Sequence, residues 1–292
     1  MRKLFYIIYI ILLSSILISC SNKKDSNESI IKVSASSSLT NSEIKDSQKE
    51  RDDNMKLVKT YNNFHSPTGI AIDNEGSLYV SNWSTGSVTK VDKDGNYSTF
   101  ADGMNAPAGL AFDAEKNLYV SDYSSDVIYR ISKDGQKNIF AKGLHTPTGI
   151  SFNHEGELLV TNRSSNEIVR IDKSGEIKTI AKGLKTPVGV MEDNNYNIFV
   201  TNYSGGISKI SSDGNVSTIS SDFKTPGVGI SINGNELFAV DNGAGCVRKI
   251  NADNSTETVI DNIGGCVALL IHNDTIYVGS WSDGAVYVYV KK

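Results

Sequence analysis

Five glycines, Gly69, Gly109, Gly149, Gly189 and Gly229, recur at intervals of 40 residues, and this period constrains the fold more than any other feature of the 292-residue chain. Each of the five prolines (Pro67, Pro107, Pro147, Pro187 and Pro226) precedes one of them by two or three residues. An apolar triplet follows downstream in six copies: Leu78-Tyr79-Val80, Leu118-Tyr119-Val120, Leu158-Leu159-Val160, Ile198-Phe199-Val200, Leu237-Phe238-Ala239 and Ile276-Tyr277-Val278, at steps of 40, 40, 40, 39 and 39. A fixed period of this length marks a unit that buries its apolar surface only against copies of itself, as in a solenoid or a propeller.

The interior of one repeat decides between the two. Gly69-Ile70-Ala71-Ile72 is a short apolar run closed by Asp73-Asn74-Glu75-Gly76. Leu78 to Asn82 follows, then a loop rich in serine, threonine and glycine, then Ser87-Val88-Thr89-Lys90-Val91, which alternates polar and apolar residues. Asp92-Lys93-Asp94-Gly95 turns the chain again before Tyr97-Ser98-Thr99-Phe100. Strands of about five residues joined by Asp, Asn and Gly turns make a four-stranded antiparallel meander, the unit of a propeller blade. Turns come too often for a helical repeat. The chain is therefore expected to be all-β, a six-bladed β-propeller of four-stranded antiparallel blades over residues 55–292. The sixth repeat, 266–292, holds only three strands, so a strand at Lys56–Tyr61 should complete it and leave no open sheet edge. An apolar residue just before each inner strand (Phe64, Met104, Leu144, Leu184, Phe223, Ile263) keeps the front segment in register with the other five.

The pattern Pro-x-Gly-Ile-Ala-x-Asp-x-x-Gly-x-Leu-Tyr-Val-Ser-Asn of residues 67–82, followed by Val-x-Lys-Val at 88–91 and Asp-Gly at 94–95, resembles the NHL repeat. The wider relatives of that repeat include the gluconolactonase-like and paraoxonase-like propellers. The resemblance covers residues 55–292 and implies six blades. Such repeats serve binding scaffolds and enzymes alike, so function has to be argued from the site.

In an antiparallel blade, alternate connections lie on opposite faces. The crossover before Pro67 and the loop after Asn82 share one face, and in the resembling enzymes that face carries the site around the central channel. Two rings of equivalent positions occur there. Asn82, Asp122, Asn162, Asn202, Asp241 and Ser280 offer hard oxygens that suit calcium. They can equally bond their own backbone and shape the loop, a role that six near-identical copies favour. The second ring is Trp83, Tyr123, Arg163, Tyr203, Asn242 and Trp281. Aromatics and an arginine around a mouth suit stacking on a sugar, peptide or other ring, with Arg163 taking an anion, or they shield the top of the blades.

The main expectation is a non-enzymatic protein that binds a small molecule, sugar, peptide or protein partner through this second ring. The alternative is a calcium-dependent lactonase-type hydrolase. The resembling lactonases take calcium ligands from an asparagine beside the inner-strand glycine and a glutamate on an early strand. Here Thr68, Ala108, Thr148, Val188, Val228 and Val267 stand at the former place, and the first inner strand has no glutamate. Only Asn82, Asn202, Asp241 and Asn242 match in type. His65 and His145 share a crossover slot two blades apart, and His154 and His272 belong to the opposite face, which gives a histidine-based catalytic pair little support. A purely structural scaffold is the third reading.

The N-terminus carries a separate message. Met1-Arg2-Lys3 is a basic start, Leu4 to Ile18 is almost wholly apolar, and Leu17-Ile18-Ser19-Cys20 resembles the bacterial lipobox. The run falls short of the roughly 20 residues a membrane span needs. Residues 1–20 thus read as a lipoprotein signal peptide, with Cys20 acylated and the membrane as partner. Residues 21–54 lack aromatics and are dominated by polar side chains, the composition of a disordered tether. The implied location is an exported bacterial cell envelope. A net charge of -4 and a pI near 5.6 argue against a nucleic-acid partner. Cys246 and Cys266 are the only other cysteines, and an exported compartment permits a disulfide between them or leaves two buried thiols. Anchoring has a direct test. Cells fed a fatty-acid analogue should label the wild-type protein, and Cys20→Ser should lose the label and accumulate as precursor; an unlabelled wild type contradicts the lipobox reading.

Overall fold

A computed structural model describes residues 55–292; the expected signal peptide over residues 1–20, the expected tether over residues 21–54 and the expected lipidation at Cys20 lie outside the described residues. Twenty-four strands, from β1 (Met55–Tyr61) to β24 (Ala285–Lys291), form six four-stranded antiparallel sheets. The first blade is β2 (Pro67–Ile72), β3 (Leu78–Asn82), β4 (Ser87–Val91) and β5 (Tyr97–Ala101), in that order from the inside outwards. The last blade runs β22 (Cys266–His272), β23 (Thr275–Ser280), β24, then β1. The N-terminal strand therefore completes the C-terminal blade, one residue longer than the sequence suggests. Its register runs from Met55 opposite Lys291 to Tyr61 opposite Val286, with a bulge between Leu57 and Lys59.

The repeated glycines have a steric origin. A Cβ placed on Gly69 would lie 2.2 Å from the Ala108 carbonyl oxygen of the next blade, and one on Gly189 would lie 2.2 Å from that of Val228. Only a residue without a side chain lets neighbouring inner strands come this close around the axis. The proline at the start of five of the six inner strands gives up no ladder hydrogen bond, because it is the first strand residue; β22 begins with Cys266 instead.

Buried hydroxyls reinforce the same contact. Ser81 Oγ accepts from Gly69 N at 2.7 Å and donates to Ala108 O, in the second blade, at 2.6 Å. Ser121 Oγ accepts from Gly109 N at 2.9 Å and donates to Thr148 O, in the third, at 2.5 Å. Thr201 Oγ1 reaches Gly227 O of the fifth at 2.8 Å. Polar groups that would be costly to bury bare are thereby satisfied across a blade boundary. At the equivalent places of the last two blades the chain has Val240 and Gly279, which form no such bridge.

The hydrophobic core is divided into six clusters, each drawing on two neighbouring blades. Each contains one of the apolar residues that precede the inner strands: Phe64, Met104, Leu144, Leu184, Phe223 and Ile263. Tyr79 meets Phe100 of its own blade and Phe112 of the next edge-on, at 4.9 and 5.0 Å, and Tyr119 repeats the arrangement one blade on. On the face opposite the mouth, His154 Nδ1 lies 2.6 Å from Glu192 Oε2 across the third and fourth blades. That bond raises the His154 pKa. His154 is thus committed to a contact between blades.

The close approach at the axis is open to measurement. Gly189→Ala forces a methyl group against backbone and should destabilise the fold by about 1–3 kcal/mol or more. Gly264→Ala, where the nearest atom is a serine hydroxyl at 3.4 Å, should be neutral or slightly stabilising. Equal melting temperatures for the two variants would contradict this origin of the repeat.

Candidate functional site

The second strands of the blades, among them β3, β7 (Leu118–Asp122), β11 (Leu158–Asn162), β15 (Ile198–Asn202) and β19 (Glu236–Asp241), all end on one face of the ring. Their last residues are buried and serve the crossovers. Asn82 Oδ1 accepts from His65 N at 2.9 Å, Asn162 Oδ1 from His145 N at 3.1 Å and Asn202 Oδ1 from Lys185 N at 3.2 Å. Asp122 accepts from Asn105 N at 2.8 Å and Ala106 N at 3.0 Å. Asp241 accepts from Lys224 N and Thr225 N, both at 3.0 Å, and from Arg248 Nε at 3.1 Å.

The next residue of each strand exit lines the channel, and in every blade but the fifth its backbone N–H is fixed by a crossover carbonyl. Trp83 N donates to Ser66 O at 3.2 Å, Tyr123 N to Ala106 O at 3.0 Å, Arg163 N to Thr146 O at 3.3 Å and Tyr203 N to Thr186 O at 2.9 Å. Ser66, Thr146 and Thr186 accept in a left-handed conformation, with φ of 56°, 49° and 60°. For a β-branched residue that costs about 1–3 kcal/mol, and such strain gathers where geometry has to be held.

The result is a pocket of about 230 Å³ in the mouth of the central channel. Trp83, Tyr123, Arg163, Tyr203, Asn242 and Trp281 all line it, over a floor that includes Thr68, Thr148, Val188, Val228 and Val267. The wall is unequal. On the side of the sixth, first and second blades, Trp83 stands 5.7 Å from Trp281 and 4.9 Å from Tyr123 between ring centres, a continuous aromatic arc. Trp281 Nε1 donates to Thr68 Oγ1 at 3.1 Å, and that hydroxyl donates to Ser66 O at 3.0 Å. On the other side Arg163 lies between two tyrosine rings, 5.7 Å from the Tyr123 centre and 5.1 Å from that of Tyr203. Its Nη1 donates to Tyr123 Oη at 3.1 Å. Asn242 Nδ2 donates to Cys266 O at 3.0 Å. Arg163 is the one charged residue lining the pocket, and no described carboxylate pairs with it. Its Nε is buried and has no hydrogen-bond acceptor.

The residues considered for calcium sit elsewhere. Asn82, Asn202 and Asp241 do not line the pocket, and their oxygens are engaged by the crossover backbone of their own blades. Asp241 is also neutralised by Arg248. As bonded, this donor set does not fit a calcium ion. Among the described residues no group of three or more His, Cys, Asp or Glu side chains converges to hold a metal. Cys246 and Cys266 are free thiols, not a bridge. Cys266 Sγ lies 3.5 Å from Cys246 O and 3.6 Å from Asp241 O, so it faces carbonyls rather than its neighbour's sulfur. Burial pushes both thiols up, that of Cys266 to about 12. Sequence reasoning passed over two features: Thr68 as a floor residue that anchors Trp281, and the bond between Tyr123 and Arg163, whose only signal is their place in consecutive blades.

Solved structures of the same fold are numerous and diverse. A catalytically inactive virginiamycin B lyase from Staphylococcus aureus, crystallised with quinupristin, matches with a TM-score of 0.64 at 16% identity, over 82% of this chain and 100% of the other. A gluconolactonase from Xanthomonas campestris matches with a TM-score of 0.71 at 16% identity, over 80% and 88%. A nidogen/laminin complex matches with a TM-score of 0.64 at 21% identity, over 70% and 86%. A search of curated proteins finds no match. At these identities the structures establish the fold alone. The sequence itself goes further and corrects the expectation of a non-enzymatic binding protein: residues 54–262, more than half of the chain, match the model of a lyase family, and the chain belongs to the virginiamycin B lyase family.

Proposed function

We propose that the protein is an enzyme of the lyase or lactonase type, which cleaves or opens a ring-bearing substrate held in the mouth of the propeller. The observation that carries this reading is the bond from Arg163 Nη1 to Tyr123 Oη, 3.1 Å long, in the wall of the pocket. Because Arg163 donates to the phenol oxygen, the O–H of Tyr123 remains free to donate to a substrate oxygen. A phenol held in that way can act as a general acid toward an oxygen that leaves or gains charge as a bond breaks. Arg163 positions the phenol and is itself held between two rings. The aromatic arc of Trp281, Trp83 and Tyr123 offers a stacking wall for a flat or cyclic substrate.

Family membership supports the reaction class, and the similarity to a gluconolactonase supports a cyclic ester as the reacting group. A calcium-dependent route finds less support, because the oxygens of Asn82, Asn202 and Asp241 are already bonded. The lipobox at Leu17-Ile18-Ser19-Cys20 supports an envelope-anchored enzyme, tethered through residues 21–54.

A panel of cyclic esters that includes gluconolactone and quinupristin, assayed by mass spectrometry for opened product, tests the proposal. Turnover of at least one compound is expected. Tyr123→Phe should lower kcat on it by about a hundredfold, the lower end of the general-acid range, with little change in KM. Full activity in Tyr123→Phe, or no turnover across the panel, would overturn it.

A further inference from the structure

We infer that the substrate carries a carboxylate, and that the free edge of Arg163 is its subsite. This rests on the reading that the mouth is the substrate site. A guanidinium has five N–H donors and is charged at every accessible pH. One donates to Tyr123 Oη. Nε is buried without an acceptor and out of a ligand's reach, and the remaining Nη donors, which have no acceptor among the described residues, form the edge open to the pocket. A permanent cation in the wall of a largely apolar pocket, with no counter-charge and donors unspent, is costly unless something else supplies the acceptor.

The surroundings narrow what that acceptor is. The floor near Arg163 includes Val188 and Val228, and no other charged side chain reaches the pocket. One cation with a planar fork matches a planar group of one negative charge, which a carboxylate is. A phosphate carries closer to two charges and would call for a second cation, which the lining of the pocket does not hold. The tyrosine rings on either side hold the guanidinium plane, so its edge is presented in a fixed direction. The aromatic arc faces it across the mouth, so the expected substrate joins a flat apolar ring to a carboxylate.

Titration calorimetry on the full chain tests this with 2-naphthoate, 2-naphthamide and 2-naphthyl phosphate. Wild type should bind the naphthoate about tenfold more tightly than the amide, the scale of one charge-assisted hydrogen bond. Arg163→Gln should bring that ratio to about one. Arg163→Lys, a point charge without the fork, should keep part of it. Melting curves of both variants report on folding, and the wild-type comparison needs no variant. Equal wild-type affinities for acid and amide would overturn the carboxylate subsite while leaving the aromatic mouth intact. Tenfold tighter binding of the phosphate would overturn the choice of carboxylate. Binding of none of the three would overturn the subsite and the aromatic mouth together.

Discussion

The structure depends on how closely six inner strands approach one axis. Backbone atoms of neighbouring blades meet where Gly69 and Gly189 leave no room for a methyl group. Buried hydroxyls such as Ser81 and Thr201 then carry the backbone hydrogen bonding from one blade to the next. This contact sets the diameter of the channel, and the diameter sets which side chains can meet across its mouth. The interblade clusters, each with its own Phe64- or Met104-like residue, supply the apolar burial that holds the ring closed.

The mouth follows from the same repeat, used twice. At the last residue of the second strands, amide and carboxylate oxygens tie down the crossovers, and the repeat is kept nearly uniform. One position later the repeat is free to vary, because the side chain lines the open channel and does not anchor its own crossover. Variation there gives Trp281, Trp83 and Tyr123 on one side and Arg163, Tyr203 and Asn242 on the other. Uniform residues build the frame and divergent residues at an equivalent position give the chemistry. Arg163 is unusual even in that ring, as a cation flanked by tyrosines where other blades place aromatic or amide groups.

The sequence carried most of this. The interval between Gly69 and Gly109, the six copies of the Leu78-Tyr79-Val80 triplet and the shortfall of a strand after Cys266 were enough for blade count and closure, because a propeller repeats its geometry with its sequence. Both rings at the strand exits could be read off by the same equivalence. What could not be read were the partners of those residues. Whether Asn202 faces a cation or the Lys185 N–H depends on a side-chain rotamer. The bond between Tyr123 and Arg163 joins residues 40 apart and follows from the curvature of the ring. Cys246 and Cys266 lie in adjacent blades, as their spacing suggests, yet the Cys266 thiol turns to backbone carbonyls. An enzymatic role was equally out of reach, since no histidine or carboxylate lines the pocket and the strand-exit pattern alone reads as a binding surface.

The central claim is that one pocket, assembled from equivalent positions of six blades, takes the substrate with its ring on the tryptophans and its acid on Arg163. A crystal structure of the protein with 2-naphthoate tests it most directly. The account predicts the naphthalene ring against Trp83 and Trp281 and a carboxylate oxygen within hydrogen-bond distance of Arg163. A naphthoate found in the side cleft lined by Phe238, Lys249 and Ile276, or in the mouth with its carboxylate turned away from Arg163, would contradict it.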